Sequence, residues 1–346
     1  IIKQSGTGTK PILSFTGTSA TGEACIKLTG CDYITIEGIV IKDETTSNNV
    51  EYGIYLLGTA DNGCKNNTIK NCVIDLYQNY KFTIGIKLFS NAEYVTGLNY
   101  QNKFLNNIIM ECYTGYEIFG SSYYPDEKNE IGTIDGGVSE IKNLGGNESF
   151  VLNGIIFKYQ KGISVHNNKI YNIHSNSSNI YGICFRNCSY DTVKIYSNEI
   201  TNFSSTYYSQ GSIYPIYSSS ENYAAVQIND NEIYGFALTD QNFCAIDVSM
   251  GNTIISGNKI YNIEYTLNSS RIVQGIKISS YGTHYLYNNM IYDLRAPNAQ
   301  PYSATYPSVC GIYVGSPSEQ NFNVNLYNNT VFLNYTSDND LNRSTA

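Results

Sequence analysis

The stretch Val193-Lys-Ile-Tyr-Ser-Asn198-Glu-Ile200 decides the reading of this chain. Apolar and polar residues alternate over its first four positions, as in a strand with one buried face. Ser-Asn then interrupts the alternation and Ile resumes it. The pattern returns as Val165-His-Asn-Asn168-Lys-Ile170, Ile228-Asn-Asp-Asn231-Glu-Ile233, Ile255-Ser-Gly-Asn258-Lys-Ile260, Leu286-Tyr-Asn-Asn289-Met-Ile291 and Leu326-Tyr-Asn-Asn329-Thr-Val331. Looser copies run from Phe104 to Ile109, with Asn107 in the Asn column, and from Ile69 to Ile74, with Cys72 there. The weakest lie near Ile36 to Ile41 and Ile134 to Gly137.

A second motif, Gly-Ile-x-apolar, interleaves with the first. It reads Gly53-Ile-Tyr-Leu, Gly85-Ile-Lys-Leu, Gly154-Ile-Ile-Phe, Gly182-Ile-Cys-Phe, Gly275-Ile-Lys-Ile and Gly311-Ile-Tyr-Val. Cys25, Gly115, Pro215 and Ala245 open further copies in the same register. The two motifs alternate ten times at a period of about thirty residues, the signature of a solenoid. Two strand motifs, plus the Ile-x-x-Ile/Phe continuation from Ile170 to Ile173 and Ile200 to Phe203, predict three short strands per coil. The Asn column is expected at a sharp turn, where Asn tolerates left-handed backbone and its amide bonds locally. Stacked from coil to coil, Asn107, Asn168, Asn198, Asn231, Asn258, Asn289 and Asn329 would bond to one another as a structural ladder.

Composition agrees. Of 346 residues 42% are apolar, 13% aromatic and 14% charged, which is the reverse of a disordered chain. Tyr numbers 33 and Gly 29, while β-branched residues outweigh helix formers, so the fold class is all-β. A net charge of −8 gives no electrostatic basis for nucleic-acid binding, and no apolar run approaches a membrane span. Nine dilute cysteines, odd in number, read mainly as small buried hydrophobes. With three histidines and no paired CxxC motif, neither a metal site nor a cofactor is expected.

The Asn turn, three strands per coil and Gly-Ile strand resemble the right-handed parallel β-helix of the pectate-lyase-like superfamily, from about Ile12 to Tyr335. A leucine-rich repeat shares the Val193-x-Ile195-x-x-Asn198-x-Ile200 spacing, but the longer period and the second strand motif speak against it. The resemblance implies a right-handed solenoid of about ten coils and an extracellular or cell-surface address. It leaves activity open, since the superfamily holds lyases, hydrolases, epimerases and non-catalytic surface proteins. The Asn-Thr-Asp, Asp-Asp, Gly-His-Gly and Arg-Ile-Lys motifs of its polygalacturonase-like hydrolases are absent, as is the Asp-Pro-His signature of its epimerases. No acidic cluster of the calcium-dependent lyase kind crosses neighbouring coils. The expectation is therefore a non-catalytic structural or adhesive module with glycan binding as its candidate activity. A polysaccharide lyase or glycoside hydrolase, and a subunit of a larger extracellular assembly, are the alternatives. Partners would be a polysaccharide or neighbouring protein subunits.

Three columns are candidates for function. The outward position of the Gly-Ile strand reads Lys27, Tyr55, Lys87, Glu117, Ile156, Cys184, Tyr217, Asp247, Lys277 and Tyr313. Lys87 beside Glu117, and Asp247 beside Lys277, are the catalytic candidates, against the plainer reading of exposed cross-strand ion pairs. The column after the turn carries Tyr171, Tyr234, Tyr261 and Tyr292, and the column before it Tyr287 and Tyr327. These Tyr are either a strip for sugar rings or another protein, or cross-strand packing. Long excursions at 121–130 and 295–309 are candidate functional loops. Neither end looks like a solenoid cap, so the single domain spanning 1–346 is expected to be a segment of a longer chain or to be capped by a partner.

Overall fold

A computed structural model describes residues 1–17, 22–44, 50–77, 82–146, 151–176, 179–189, 191–205, 211–219, 224–249, 251–266, 270–279, 281–297, 308–315, 322–333 and 344–345. The chain winds through three parallel sheets of eleven strands each, visiting them in fixed order. The first sheet runs from Ile2–Lys3 to Phe322–Tyr327, the second from Ile12–Phe15 to Thr330–Phe332, and the third from Ala24–Thr29 to Ser344–Thr345. The repeat thus continues one strand per sheet past the ten motif pairs. A further short pair, Asp126–Glu127 with Gln160–Lys161, widens one corner.

The registers show why Ile dominates. Val165, Ile195, Ile228, Ile255 and Leu286 lie opposite one another on the first sheet. Ile170, Ile200, Ile233, Ile260 and Ile291 do so on the second, and Ile155, Ile183, Ile216, Ile246 and Ile276 on the third. All fifteen are 0% exposed. Each coil therefore contributes three aliphatic side chains to one continuous interior, each worth about 1.5–3 kcal/mol of burial. The Gly column has a steric cause. A Cβ on Gly182 would lie 2.4 Å from the Pro215 carbonyl oxygen and 3.2 Å from the Ile200 side chain.

The turn divides its labour differently from the sequence expectation. The left-handed residue is the one before the ladder Asn: Asn167 (φ 52°), Ser197 (54°), Asp230 (56°), Gly257 (66°), Asn288 (56°) and Asn328 (51°). The ladder Asn itself is buried and spends its amide on neighbouring coils. Asn168, Asn198, Asn231, Asn258 and Asn289 each donate Nδ2 to the Oδ1 of the next Asn at 2.9 Å, ending on Asn329. Each Nδ2 also reaches a backbone carbonyl of the preceding coil, as Asn198 does to Val165. Asn107 belongs to the same column, accepting from the Cys72 backbone N–H.

One register differs from expectation. The weak copy at Ile134 to Gly137 is not a strand. The first-sheet strand is Glu130–Gly132, and 133–139 form an excursion. Ser139 then occupies the ladder position and donates its hydroxyl to Asn168 Oδ1 at 2.7 Å.

A second amide ladder, not anticipated, closes the opposite turn in the N-terminal half. Asn67 donates to Asn102, Asn102 to Asn129 and Asn129 to Gln160, at 3.0–3.1 Å. Its sequence signal is an Asn two residues before the first-sheet apolar residue, as in Asn67-Thr-Ile69, Asn102-Lys-Phe104 and Asn129-Glu-Ile131. Left-handed Asn66, Gln101 and Lys128 precede these in turn. Beside it Asp126, 0% exposed, accepts from the Asn99 backbone N–H at 2.8 Å and from Asn99 Nδ2 at 2.9 Å.

Candidate functional site

The outward column of the third sheet is in register along ten strands, from Lys27 to Tyr313. Its middle is not a solvated face. Ile156, Tyr181 and Cys184 are buried there, with Phe119, Tyr214 and Tyr217 packed against them. This apolar cluster lies outside the solenoid interior. Its rings are in mutual contact: Tyr181 and Tyr214 stack with centroids 5.4 Å apart, and Tyr217 sits 5.0 Å from each.

Tyr214 carries the cluster into an adjoining cleft of about 450 Å³, lined among others by Asn242, Cys244, Asp247, Lys277 and Tyr313. Two of the candidate catalytic residues therefore meet in a real concavity. Lys277 Nζ is 2.9 Å from Asp247 Oδ2, but the pair is not the exposed one expected from an outward column. The Asp247 side chain is only 3% exposed, against 30% for Lys277. Burial pushes the Asp247 carboxyl above the usual range, while the Lys277 charge and the Ser249 hydroxyl pull it part of the way back. Burial alone would lower Lys277, yet the adjacent carboxylate holds its ammonium above the ordinary value. Asp247 Oδ1 is buried with no hydrogen bond of normal geometry. Next in sequence to the cleft-lining Ile272, Arg271 grips Asp240 with both Nε (2.9 Å) and Nη2 (3.1 Å).

Lys87 and Glu117 form a separate pair at 2.8 Å, also largely shielded, at 16% and 18% exposure. Lys87 lies over the Tyr52 and Tyr55 rings at 4.7 and 5.6 Å, so its charge is engaged on both sides. This pair is four strands from Asp247 and shares no cavity with it.

The Tyr columns belong to other faces. Tyr171, Tyr234, Tyr261 and Tyr292 are on the second sheet, and Tyr287 opposite Tyr327 on the first. Tyr234, Tyr261 and Tyr292 stack face to face, 5.1 and 4.9 Å apart and within 5° of parallel. Their hydroxyls donate to carboxylates one coil back, Tyr234 to Glu199 at 2.5 Å and Tyr261 to Glu232 at 2.8 Å. The ring faces inside the stack thus cover one another and leave edges outward. Of the two excursions, 121–130 is described. It is tied to Ala92 by a Ser121 hydroxyl bond to the Ala92 carbonyl and to Asn99 through Asp126, and it exposes Tyr123. Most of 295–309, with Pro301 and Pro307, lies outside the described residues, as does the expected uncapped C-terminal segment 337–346, apart from the Ser344–Thr345 strand.

Among the described residues no group of three or more His, Cys, Asp or Glu could hold a metal ion, and no helix is long and apolar enough to cross a membrane. Asp247 is the one carboxylate among the described residues lining the cleft, whereas two-carboxylate glycoside hydrolysis needs a pair flanking the scissile bond. Sequence reasoning had located the charged pair. It missed Tyr181 and Tyr214, which lie outward three residues before Cys184 and Tyr217, so that strict alternation breaks at the intervening Gly182 and Pro215.

No family model matches the chain, and no curated protein matches it. A solved structure, a mutant of the periplasmic alginate epimerase AlgG, aligns over 89% of this chain and 73% of its own, with 9% identity and a TM-score of 0.41. That likeness is too distant to bear on the site.

Proposed function

We propose that the chain is a non-catalytic saccharide-binding β-solenoid acting outside the cell or at its surface, and that the outer face of the third sheet, from Phe119 to Tyr313, is its binding platform. The observation that carries this is the apolar cluster of Ile156, Tyr181, Cys184, Tyr214 and Tyr217 on the outside of the solenoid, continuous through Tyr214 with a polar cleft. A sugar ring presents an apolar face and a rim of hydroxyls. Tyr rings match the first, and Asn242, Asp247, Lys277 and the Tyr hydroxyls match the second. The platform follows the solenoid axis, which suits an extended chain of sugars. The stacked Tyr234, Tyr261 and Tyr292 are assigned instead to holding neighbouring strands together.

The test is retention on immobilised neutral and acidic polysaccharides, comparing the protein with the Tyr214→Ala, Tyr217→Ala double variant. Retention by the parent and its loss in a variant that still folds is the expected result. No retention of the parent on any of them would overturn the reading.

A second reading, a polysaccharide-cleaving enzyme, is favoured by one observation: Asp247 is buried with a raised pKa beside Lys277 at the cleft wall, the environment of a general acid or base. Progressive shortening of a bound polysaccharide, abolished by Asp247→Asn, would establish it in place of the first.

A further inference from the structure

One adjacent pair of cations on this same face lacks a carboxylate. Lys158 and Arg186 are register partners on neighbouring strands of the third sheet, with Arg186 near Tyr181 and Tyr217. Lys87 and Lys277 on the face are each held by an acid, Glu117 and Asp247. Among the described residues Lys158 and Arg186 form no ion pair.

Two like charges opposite each other on neighbouring strands repel, and a chain of net charge −8 has acids enough to neutralise them. Both cations are nevertheless held in place. Lys158 Nζ sits 4.6 Å from the Phe119 ring centroid, and Arg186 is half-buried beside Cys184. Arg186 Nε is buried with no hydrogen bond of normal geometry, and the side-chain partner of the guanidinium is the Cys184 thiol, a weak acceptor, where a carboxylate would be the strong one.

Building on the platform reading above, we infer that Lys158 and Arg186 form an oxyanion subsite, taking a carboxylate or sulfate-ester substituent of a sugar whose ring lies on Tyr217, the part-exposed ring on the strand next to Arg186. The guanidinium offers a planar fork that matches either group, and the lysine adds a point charge from the neighbouring strand. The anion would relieve the repulsion between the cations and give the guanidinium the charged acceptor that the Cys184 thiol is not. The Asp247–Lys277 pair is about 10 Å further along by strand spacing and is already neutral, so the charge preference is localised at one end of the platform.

The experiment is calorimetric titration at low and moderate salt with four probes: a neutral oligosaccharide, its uronate counterpart, its sulfated counterpart and inorganic sulfate. At least one charged oligosaccharide should bind about ten-fold or more tightly than the neutral one, the size expected of a charge-assisted contact. The uronate and sulfated arms tell which oxyanion is preferred. Arg186→Gln and Lys158→Gln should each remove most of that advantage while leaving neutral binding in place. Arg186→Lys should keep part of it, and Lys194→Gln, on an exposed first-sheet lysine, should change nothing.

Equal affinity for charged and neutral oligosaccharides would overturn the subsite and leave the platform reading standing. Sulfate binding that Arg186→Gln abolishes, with no oligosaccharide bound, would support the anion site and overturn the platform. No binding of any probe would overturn both.

Discussion

Asn198 donates both its backbone N–H (3.0 Å) and its side-chain Nδ2 (2.9 Å) to a single atom, Oδ1 of Asn231 on the next coil. Asn231 repeats the arrangement onto Asn258, so one amide per coil satisfies a buried turn and ties it to its successor. The left-handed turn conformation is left to Ser197 and Asp230.

That division can be tested by mutation. Asn231→Leu strips an acceptor from two Asn198 donors and removes the bond to the Ile195 carbonyl, and should cost about 2–4 kcal/mol. Ser197→Gly, at a residue whose positive φ suits glycine, should shift stability by less than about 1 kcal/mol. Chemical denaturation of both variants checks the contrast, and equal effects would refute it.

Asp126 makes stability depend on pH. Burial pushes its carboxyl up to about 7, outweighing the Asn99 and Gln160 hydrogen bonds that pull it down. A free Asp titrates near 3.9, so folding takes up a proton between the two values. Its contribution is therefore greatest below the free value, is lost as pH rises to about 7, and is level above that, a span on the order of 4 kcal/mol. Asp126→Asn should remove this fall and raise stability at pH 8, since an Asn Oδ1 can accept both Asn99 donors as Asn231 accepts those of Asn198. Urea unfolding of both proteins at pH 4.5, 6 and 8 is the measurement.

The Asp247–Lys277 pair should behave as a buried ion pair. Lys277→Met leaves a 3%-exposed carboxylate without its counter-charge and should cost about 3 kcal/mol at neutral pH. Adding Asp247→Asn should recover most of the loss. A double-mutant cycle on thermal stability reads the coupling, and a coupling near zero would show the pair to be solvent-screened.

Tyr234→Ser with Tyr261→Ser should reduce stability by about 1–3 kcal/mol, because two stacked contacts and two hydroxyl bonds to Glu199 and Glu232 are lost. Polysaccharide retention should persist, in contrast to the Tyr214, Tyr217 double variant. Loss of retention with unchanged stability would return the binding role to the second-sheet stack.

The recurring Asn and Ile at a period of about thirty residues were enough, read alone, to specify an all-β solenoid, its three strands per coil and the buried ladder from Asn168 to Asn329. Strand alternation and turn chemistry are local, and a repeat presents the same local signal at every coil. The Asp247–Lys277 adjacency was legible for the same reason, because register carries one column onto the next. The burial of Asp247, the outward apolar cluster at Ile156 and Cys184, and the displacement that puts Ser139 in the ladder were settled only in three dimensions. How far an outward side chain is shielded depends on neighbours one coil above and below and on the excursions beside them. Period 2 assigns each residue to a face without saying what else occupies that face.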